Sequence, residues 1–368
     1  MSNQNKKLIV VLGMHRSGTS VTTRGLQVMG VSLGEKTMPP AKGNNDKGFW
    51  EDLDLNSFNI EILKVIENDW YYLAPIRRRH LKKLRSEGYV LRASELLHQK
   101  TSSTPVFGFK DPRVVKLMSF WKEVFSDCQL DVNYVLTLRH PLSVVKSLTA
   151  RDGFIAEHSY LLWLGHVLES LSGSAGSKRV LVDYDRLLKS PDVEMIRISK
   201  SIGLEIDRAA LQSYKAEFLE EALRHTVYDS NELLLDNACP PIVREVYTAL
   251  LDVASDKVTL DDKALQSKVS DWLVEYERLK SSLLLVDKLF TKETAALNSF
   301  DARLLATKVD YDKQIQHRDD LINQLEKRIE ARDSQLLTLE QGIEARDSQL
   351  LTLEQGIEAR DGKIITLE

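Results

Sequence analysis

The sequence has little cysteine, no long apolar run and no surplus of basic residues, and each shortage excludes a class of protein. Its two cysteines, Cys128 and Cys239, lie far apart, so they suggest neither a disulfide framework nor a zinc-binding pair, which suits a reducing cytosol. No apolar stretch approaches the ~18 residues that a membrane-spanning helix requires. The formal net charge is −4, whereas nucleic-acid-binding proteins usually carry a basic excess. We therefore expect a cytoplasmic protein with no nucleic-acid partner and no transmembrane segment.

One short apolar run near the N-terminus needs a separate interpretation, because it follows two lysines as the core of a signal peptide would. This run, residues 8–14, leads into His15-Arg16 without the small residues of a cleavage site. Its length is also at the short limit for a signal peptide. We therefore predict a buried first strand here.

Proline is missing altogether from the last part of the chain. All nine prolines lie at or before Pro241, and so do fourteen of the seventeen glycines. Because these residues mark the turns of globular folds, their loss indicates a change from a globular part to long helix. We predict a first domain over residues 1–255, a linker over 256–272 and a coiled coil over 273–368.

The end of the chain is an internal repeat of 14 residues, which equals two heptads. The segment Ile329–Gly342 recurs almost verbatim at 343–356. One heptad position holds Ile or Leu in every heptad from Ile315 to Ile364, and the other alternates leucine with arginine. The arginines are Arg318, Arg332, Arg346 and Arg360. We predict a coiled coil that self-associates or binds a partner helix, with arginines that lower its stability or set its register.

The first 240 residues alternate apolar strand-like runs with amphipathic helical patterns. The strand-like runs are 8–12, 106–109, 132–138 and 179–182. The helical patterns are 19–29, 53–67, 77–98, 114–124, 141–150 and 158–171. This alternation predicts an α/β fold of the P-loop type, with a mostly parallel sheet covered by helices on both faces. Ligands of such sheets bind at the carboxyl ends of the strands, where the motifs of this sequence lie.

The segment Gly13–Ser20 follows the first predicted strand and leads into a helix, which is the context of a phosphate-binding loop. Glycines let the backbone turn its N–H groups inward, and the start of the helix favours an anion. ATP-binding loops have a lysine where this sequence has Thr19, and here the cation is Arg16. Because that lysine stabilises charge on the γ-phosphate, its replacement argues against ordinary ATP chemistry.

The Arg-Ser-Gly-Thr sequence of this loop resembles the 5′-phosphosulfate loop of sulfotransferases, particularly tyrosylprotein and carbohydrate sulfotransferases and their bacterial relatives. In that family an Arg, followed by Pro two residues later and Ser eight residues later, binds the 3′-phosphate of the sulfuryl donor PAPS. Arg139, Pro141 and Ser147 match this spacing, although His140 stands where relatives often have Asp. The resemblance spans roughly residues 6–240. It implies that PAPS is bound by Arg16, Ser17, Gly18, Thr19, Ser20, Arg139 and Ser147.

The same resemblance implies two catalytic cations. In tyrosylprotein sulfotransferases a Lys-Asp-Pro sequence supplies a catalytic lysine, and Gly108–Arg113 contains that sequence here. Lys110 is thereby implied to stabilise charge on the leaving nucleotide, and Asp111 to order the turn. Arg16 is implied to stabilise the transferring group. A solvated turn residue is the structural alternative for Lys110.

A catalytic base is also implied, because relatives carry a glutamate downstream of the phosphate loop that takes the proton of the acceptor hydroxyl. Glu51 is the candidate, with Asp52 and Asp54 as competitors. An acidic pair at the start of a helix is stabilising by itself, and this is the structural alternative. Two weaker signals are Val182–Arg186, which resembles a position near the nucleotide, and Leu223–Thr226, which could close over the donor. Packing explains both equally well.

The resemblance implies an enzyme, a PAPS-dependent sulfotransferase that transfers a sulfuryl group to a hydroxyl acceptor without a metal. A carbohydrate or glycan precursor is the first candidate acceptor, while the family also allows tyrosine and small metabolites. Two alternatives belong to other classes of protein. One is a P-loop nucleotide kinase or ATPase, and the other is a coiled-coil assembly protein with a non-catalytic nucleotide-binding head.

Overall fold

The first part of the chain is built on a sheet of four parallel strands. They are β1 (Lys7–Leu12), β2 (Val106–Lys110), β3 (Asp131–Leu138) and β4 (Arg179–Asp183). Their order is β2-β1-β3-β4, and every neighbouring pair is parallel. The structure, a computed structural model, describes residues 6–41, 45, 47–219, 228 and 230–365. The prediction of an α/β fold with a parallel sheet is confirmed, and so is the buried first strand.

Helices connect the strands and extend the chain beyond them. The helices are α1 (Thr19–Leu26), α2 (Leu53–Val65), α3 (Arg78–Ser86), α4 (Tyr89–Ser102), α5 (Arg113–Lys116), α6 (Met118–Asp127), α7 (Pro141–Asp152), α8 (Ala156–Gly173), α9 (Tyr184–Lys189), α10 (Pro191–Ile202), α11 (Arg208–Phe218), α12 (Ser230–Leu235), α13 (Pro241–Ala254), α14 (Lys263–Arg278) and α15 (Lys280–Ile365). No helix among the described residues is long and apolar enough to cross a membrane.

Two hydrophobic cores lie on the two faces of the sheet. Successive side chains of a strand point to opposite faces, so Val10 of β1 belongs to one core and Ile9 to the other. The larger core includes side chains of α2, α4 to α8, α13 and α14, and the smaller one includes side chains of α1, α10 and α11. Burial on both faces explains why the strands are apolar runs rather than alternating patterns.

The boundary between the two parts of the chain differs from the predicted one. The chain divides into a first unit, Met1–Leu289, and a second unit, Phe290–Glu368. Residues predicted as a linker and as the start of the coiled coil include α14, which buries Trp272 and Tyr276 in the larger core. The first turns of α15 also bury Leu283. Helical apolar spacing suits packing on a domain as well as in a coiled coil, so periodicity alone misplaced the boundary.

The second unit is helical, and its apolar stripe is exposed. Ile329, Leu336 and Ile343 are 56–60% exposed, although such side chains normally lie in a core. A helix with a sustained exposed a/d stripe is expected to pair with another helix. Pairing of this helix into a coiled coil therefore stays a prediction with a clear test.

We expect the full chain to self-associate through this stripe. Ile329→Glu combined with Ile343→Glu should place charge in the helix seam and reduce the mass measured by light scattering to that of the monomer. The control is Leu337→Glu with Leu351→Glu, which adds the same charge at equally exposed leucines outside the stripe. A monomeric wild-type chain, or the same loss of mass in both variants, would contradict association through the stripe.

Candidate active site

The loop between β1 and α1 is shaped by a glycine that no other residue can replace easily. Gly18 has a left-handed backbone with φ of 82° and lies directly before α1. A Cβ atom there would lie 2.1 Å from Cδ2 of Tyr184. As a glycine, this N-cap residue brings no side chain that could cap the first turn of α1. Amide groups at such a helix start favour an anion, and anion binding at this loop stays a prediction.

Two arginines predicted as ligands of the donor lie together at this loop. Nε of Arg16 donates to Oγ of Ser147 at 2.7 Å, and a terminal guanidinium nitrogen of Arg139 donates to the carbonyl of Arg16 at 2.8 Å. The Arg139 guanidinium also stacks 4.6 Å from the ring centre of Tyr184. The parallel sheet brings the ends of β1 and β3 side by side, so residues 123 positions apart in sequence meet.

Positive charge accumulates in this cluster. Burial lowers the pKa of Arg16, and the nearby charges of Arg151 and Arg139 lower it further. Nε of Arg139 and Oγ of Ser143 are buried and have no hydrogen-bond partner within the described part of the chain. Buried donors are normally satisfied, so these atoms are suited to a ligand that brings acceptor oxygens. An anion with several oxygens fits both the charge and the unpartnered atoms.

One helix supplies two of the residues at this site, Ser147 and Arg151, and it carries the buried Ser143 one turn before Ser147. Ser143, Ser147 and Arg151 lie at intervals of four along α7, so they share one helix face. Of the three, the sequence motif identified Ser147 alone. The spacing of four on either side of Ser147 was a usable signal for the other two.

Lys110 and Glu51, predicted as catalytic residues, form a buried ion pair. Nζ of Lys110 lies 2.8 Å from Oε1 of Glu51, and the two side chains are 2% and 6% exposed. Nζ of Lys110 also donates to Oγ of Ser20 in the phosphate-binding loop at 3.3 Å. This burial excludes the alternative of a solvated turn residue for Lys110. The pair lies at the end of β2, next to the arginine cluster at the ends of β1 and β3.

The other oxygen of Glu51 is held by α2. Nδ2 of Asn56 donates to Oε2 of Glu51 at 2.7 Å, and Arg113 lies 3.9 Å from the same oxygen. Asn59 in turn donates to Asp111 at 2.9 Å and accepts from the Trp121 indole at 2.9 Å. Sequence reasoning missed both asparagines, although two buried polar residues three apart on an apolar helix were a possible signal.

Asp52 and Asp54, the other two candidates for the catalytic base, pair with a different cation, Lys100. Asp52 caps α2, since its Oδ1 accepts from the amides of Asp54 and Leu55. Oδ2 of Asp52 lies 2.7 Å from Nζ of Lys100, and Asp54 pairs with the same lysine at 2.6 Å. Hydrogen bonding to Lys100 also lowers the pKa of Asp54. Of the three acids, Glu51 is therefore the one in contact with Lys110.

Asp111 orders the turn after β2, in agreement with its expected role. Its Oδ1 accepts from the amide of Arg113 at 2.9 Å, and its other oxygen is held by Asn59. Burial raises the pKa of Asp111, and the charge of Glu51 raises it further. Both oxygens of this carboxylate are occupied by the fold.

A cleft of about 170 Å³ joins the arginine cluster to the ion pair. It is lined by residues that include His15, Arg16, Ser20, Glu51, Lys110, Arg139, Arg151 and Tyr184. Burial lowers the pKa of His15 well below its usual value, and Arg113 and Arg151 add to this shift. A neutral imidazole next to several cations therefore forms part of the wall. No cluster of potential metal ligands occurs among the described residues.

The segment after β4 contributes Tyr184 to the wall of the cleft, and the expected place of Val182–Arg186 near a nucleotide stays a prediction. Tyr184 contacts both Gly18 and Arg139. Oδ1 of Asp183 accepts from the amide of Arg186, while Oδ2 is buried and has no partner in the described ranges. The other weak signal, Leu223–Thr226, lies outside the described residues.

Comparison with known proteins gives matches among solved structures only. No protein-family model and no curated protein matches the sequence. The sulfotransferase domain from the Synechococcus PCC 7002 olefin synthase is 16% identical, with 75% of this chain and 96% of that chain covered and a TM-score of 0.37. The sulfotransferase domain from the curacin biosynthetic pathway is 12% identical, with 74% and 99% covered and a TM-score of 0.37. Retinol dehydratase, solved with androsterone and the inactive cofactor PAP, is 14% identical, with 74% and 80% covered and a TM-score of 0.31.

If the loop Gly13–Ser20 holds PAPS as the sequence predicts, Gly18→Ala should weaken binding of PAP, the desulfated form of PAPS, by about tenfold or more. A left-handed backbone costs a side chain ~1–2 kcal/mol, and the clash with Tyr184 adds to that cost. Gly30→Ala is the matched control, because Gly30 has a φ of 72° and no atom within 4 Å of an added Cβ. Calorimetric titration with PAP measures both variants. Equal PAP affinities in the two variants would show that the close approach of Gly18 to Tyr184 does not matter for PAP binding.

Asp183→Asn should stabilise the protein at pH 7 but not at pH 4. Burial raises the pKa of Asp183 from 3.8 to about 6, so the folded protein holds this proton more tightly than the unfolded chain does. Ionisation of the buried Asp183 carboxyl lowers the free energy of unfolding by ~3 kcal/mol. This loss is present in full above pH 6 and disappears as the pH falls below 4. Asparagine can still cap α9, but its buried amide costs part of what is gained by removing the charge. The free energy of unfolding at pH 7 should therefore rise by about 1–2 kcal/mol.

Chemical denaturation at the two pH values measures this effect. Asp207→Asn is the control, because Asp207 caps α11 in the same way but is exposed. It should change the free energy of unfolding little at either pH. A stability difference for Asp183→Asn that does not depend on pH would contradict the assignment.

Proposed function

We propose that this chain is a PAPS-dependent sulfotransferase. The observation that carries the proposal is the meeting of four separate motifs at one cleft. Arg16 and the amides of the phosphate-binding loop, Arg139 with Ser147, and Lys110 with Glu51 line one cleft or contact its lining. No pair of these motifs is close in sequence, so their common location supports a joint function.

The residues present suit a nucleotide with anionic groups at both ends. The loop amides and Arg16 would hold the 5′-phosphosulfate, because a helix start and a guanidinium both favour anions. Arg139, Ser143 and Ser147 would hold the 3′-phosphate, since Nε of Arg139 and Oγ of Ser143 are donors without partners in the described part of the chain. Of these residues, Ser143 is an addition to the set that the sequence motifs predicted.

In the proposed reaction the acceptor hydroxyl oxygen forms a bond to sulfur, and the bond from sulfur to the bridging phosphate oxygen breaks. The electron pair of that bond leaves with PAP, and the acceptor proton passes to the carboxylate of Glu51. Lys110 stabilises the charge that develops on the bridging oxygen, as a cation does in phosphoryl transfer. Positioning within the cleft supplies the remaining acceleration.

The contacts of Lys110 and Glu51 support their proposed roles as stabilising cation and base. Oε1 of Glu51 contacts Lys110, and Lys110 also contacts Ser20 at the start of α1. The proposed base, the proposed stabilising cation and the proposed sulfate site are thus consecutive neighbours. Asn56 fixes the orientation of Glu51 from the other side.

A hydroxyl acceptor follows from the proposed reaction, and a carbohydrate or glycan precursor is the acceptor we propose first. A cytoplasmic location and a role for the C-terminal helix in self-association or partner binding remain part of the same proposal. Neither alternative function, a kinase or ATPase and a non-catalytic head, gains a supporting observation at the cleft.

Binding and transfer measurements separate these functions. We expect wild-type protein to bind PAP in calorimetry without magnesium, and to transfer ³⁵S from labelled PAPS to an acceptor panel. The panel contains p-nitrophenyl β-glucoside, lipid-linked glycans, tyrosine peptides and 4-nitrophenol. Magnesium-dependent ATP binding without PAP binding would favour a kinase, and binding of neither nucleotide would favour an assembly protein.

Lys110→Met should reduce turnover on the order of 10²–10³-fold, the typical loss when one stabilising donor is removed. It should also destabilise the fold, because the buried carboxylate of Glu51 loses its close cation and keeps only the more distant Arg113, at a cost of up to ~3–5 kcal/mol. Lys110→Met combined with Glu51→Gln removes both charges and should recover thermal stability and PAP affinity without recovering turnover. Full turnover in the double variant would refute the catalytic roles of both residues.

A further inference from the structure

The segment between α2 and α3 holds a loop whose backbone is fixed by side chains from distant parts of the first unit. We call residues 69–76 the aromatic loop, since Trp70, Tyr71 and Tyr72 follow one another there. Its backbone has no regular hydrogen-bond ladder, so its polar groups need other partners. Four side chains from four different helices supply them.

Two of these partners come from the C-terminal part of the unit. The carboxylate of Asp287 accepts from the amides of Leu73 and Ala74, at 2.7 and 2.9 Å. The hydroxyl of Tyr276 donates to the carbonyl of Leu73 at 2.8 Å. Asp287 is only 4% exposed, and charge-assisted bonds to a buried carboxylate are among the stronger hydrogen bonds. Side chains from the end of α14 and the start of α15 thereby hold the backbone at the centre of the loop.

The other two partners come from helices near the sheet. His158 of α8 donates to the carbonyl of Tyr71 at 3.0 Å, and Lys116 of α5 donates to the carbonyl of Tyr72. Consecutive backbone groups are thus bound in order along the loop. A segment held in this way has one conformation, and each anchor limits the freedom of its neighbours.

The opposite side of the aromatic loop faces the cleft. The ring of Trp70 lies 4.3 Å from the ring of His15, and the guanidinium of Arg151 lies 5.2 Å from the Trp70 ring centre. His15 and Arg151 both line the cleft. Phe154 packs against Trp70 at 5.7 Å and completes the support. Trp70 is therefore the contact through which the loop reaches the site.

We propose that Asp287 is a positioning residue for the acceptor side of the active site, acting through the aromatic loop and Trp70. This inference rests on the proposed sulfotransferase function for its kinetic part. Trp70 contacts His15, whose pKa is lowered by burial and by nearby charges that include Arg113 and Lys110, the two cations beside Glu51, whereas Tyr184 contacts Arg139 in the arginine cluster. Trp70 also contacts Arg151, which lies near Arg16. Loosening the aromatic loop should therefore disturb acceptor binding more strongly than nucleotide binding.

A consequence concerns the start of the C-terminal helix. Asp287 lies in the first unit, three residues before its boundary with the second. The helix that continues into the repeats therefore begins as a part of the catalytic unit. The first turns of α15 therefore belong to the unit that carries the proposed active site, whereas the rest of this helix forms the second unit.

The test uses substitutions in the full chain. Asp287→Ala removes both bonds to the loop, Asp287→Asn retains an acceptor for one of them, and Trp70→Ala removes the contact with the cleft. Asp301→Ala is the matched control, because Asp301 is an exposed aspartate on the same helix within the second unit. The readouts are amide hydrogen exchange, calorimetric PAP affinity, and acceptor KM and kcat with p-nitrophenyl β-glucoside and 4-nitrophenol.

For Asp287→Ala we expect at least tenfold faster exchange in residues 69–76, with strands β1 to β4 unchanged. PAP affinity should stay within twofold of wild type, and acceptor KM should rise about tenfold. Asp287→Asn should lie between Asp287→Ala and wild type, and Asp301→Ala should match wild type. Combining Asp287→Ala with Trp70→Ala should raise KM no further than Trp70→Ala alone, because both act through one contact.

Unchanged exchange in residues 69–76 would overturn the proposal, and so would faster exchange throughout the sheet, which indicates general destabilisation. Additive effects of Asp287→Ala and Trp70→Ala on KM would also overturn it. If wild-type protein neither binds PAP nor transfers sulfate, the proposed function fails. The exchange experiment then still decides whether Asp287 holds the aromatic loop.

Discussion

The crowding of positive charge at the carboxyl edge of the parallel sheet is the constraint on which the rest of this structure depends. Strands β1, β2 and β3 end side by side, and each brings a cation to this edge: Arg16 and Arg139 follow β1 and β3, and Lys110 is the last residue of β2. Burial and mutual repulsion are unfavourable for these cations, as the lowered pKa of Arg16 indicates. A bound anion would relieve both, which supports the proposed anionic donor.

The two ends of the cleft balance their charge in different ways. At the arginine end, Arg16 donates to the hydroxyl of Ser147, Arg139 donates to a carbonyl and stacks on Tyr184, and Arg151 pairs with Asp152, so the cations outnumber the carboxylates among these contacts. At the other end, Lys110 has a full carboxylate partner in Glu51. The first end retains its attraction for an anion, while the second is close to neutral. This division fits the proposed pairing of a highly charged donor with a hydroxyl acceptor.

Support for the site extends well beyond the residues that line it. Glu51 is oriented by Asn56, and the neighbouring Asp111 is fixed by Asn59, which the Trp121 indole holds in turn. On the other side, Asp287 fixes the aromatic loop that supports His15. Buried polar groups of this kind must be satisfied, so each one restricts the next to a single arrangement. The larger hydrophobic core surrounds both sets of contacts.

By itself, the sequence determined the α/β class, the strands, the phosphate-binding loop, the long C-terminal helix and the motifs that contain Arg16, Lys110 and Arg139, because these depend on local patterns. Only the tertiary structure decided that Glu51, rather than Asp52 or Asp54, contacts Lys110, since each acid takes the cation that packing brings within reach. It also moved the unit boundary to Leu289, because the same helical periodicity serves a domain surface and a coiled coil. The roles of Trp70 and Asp287 left no sequence signal, because their partners are backbone groups and rings distant in sequence.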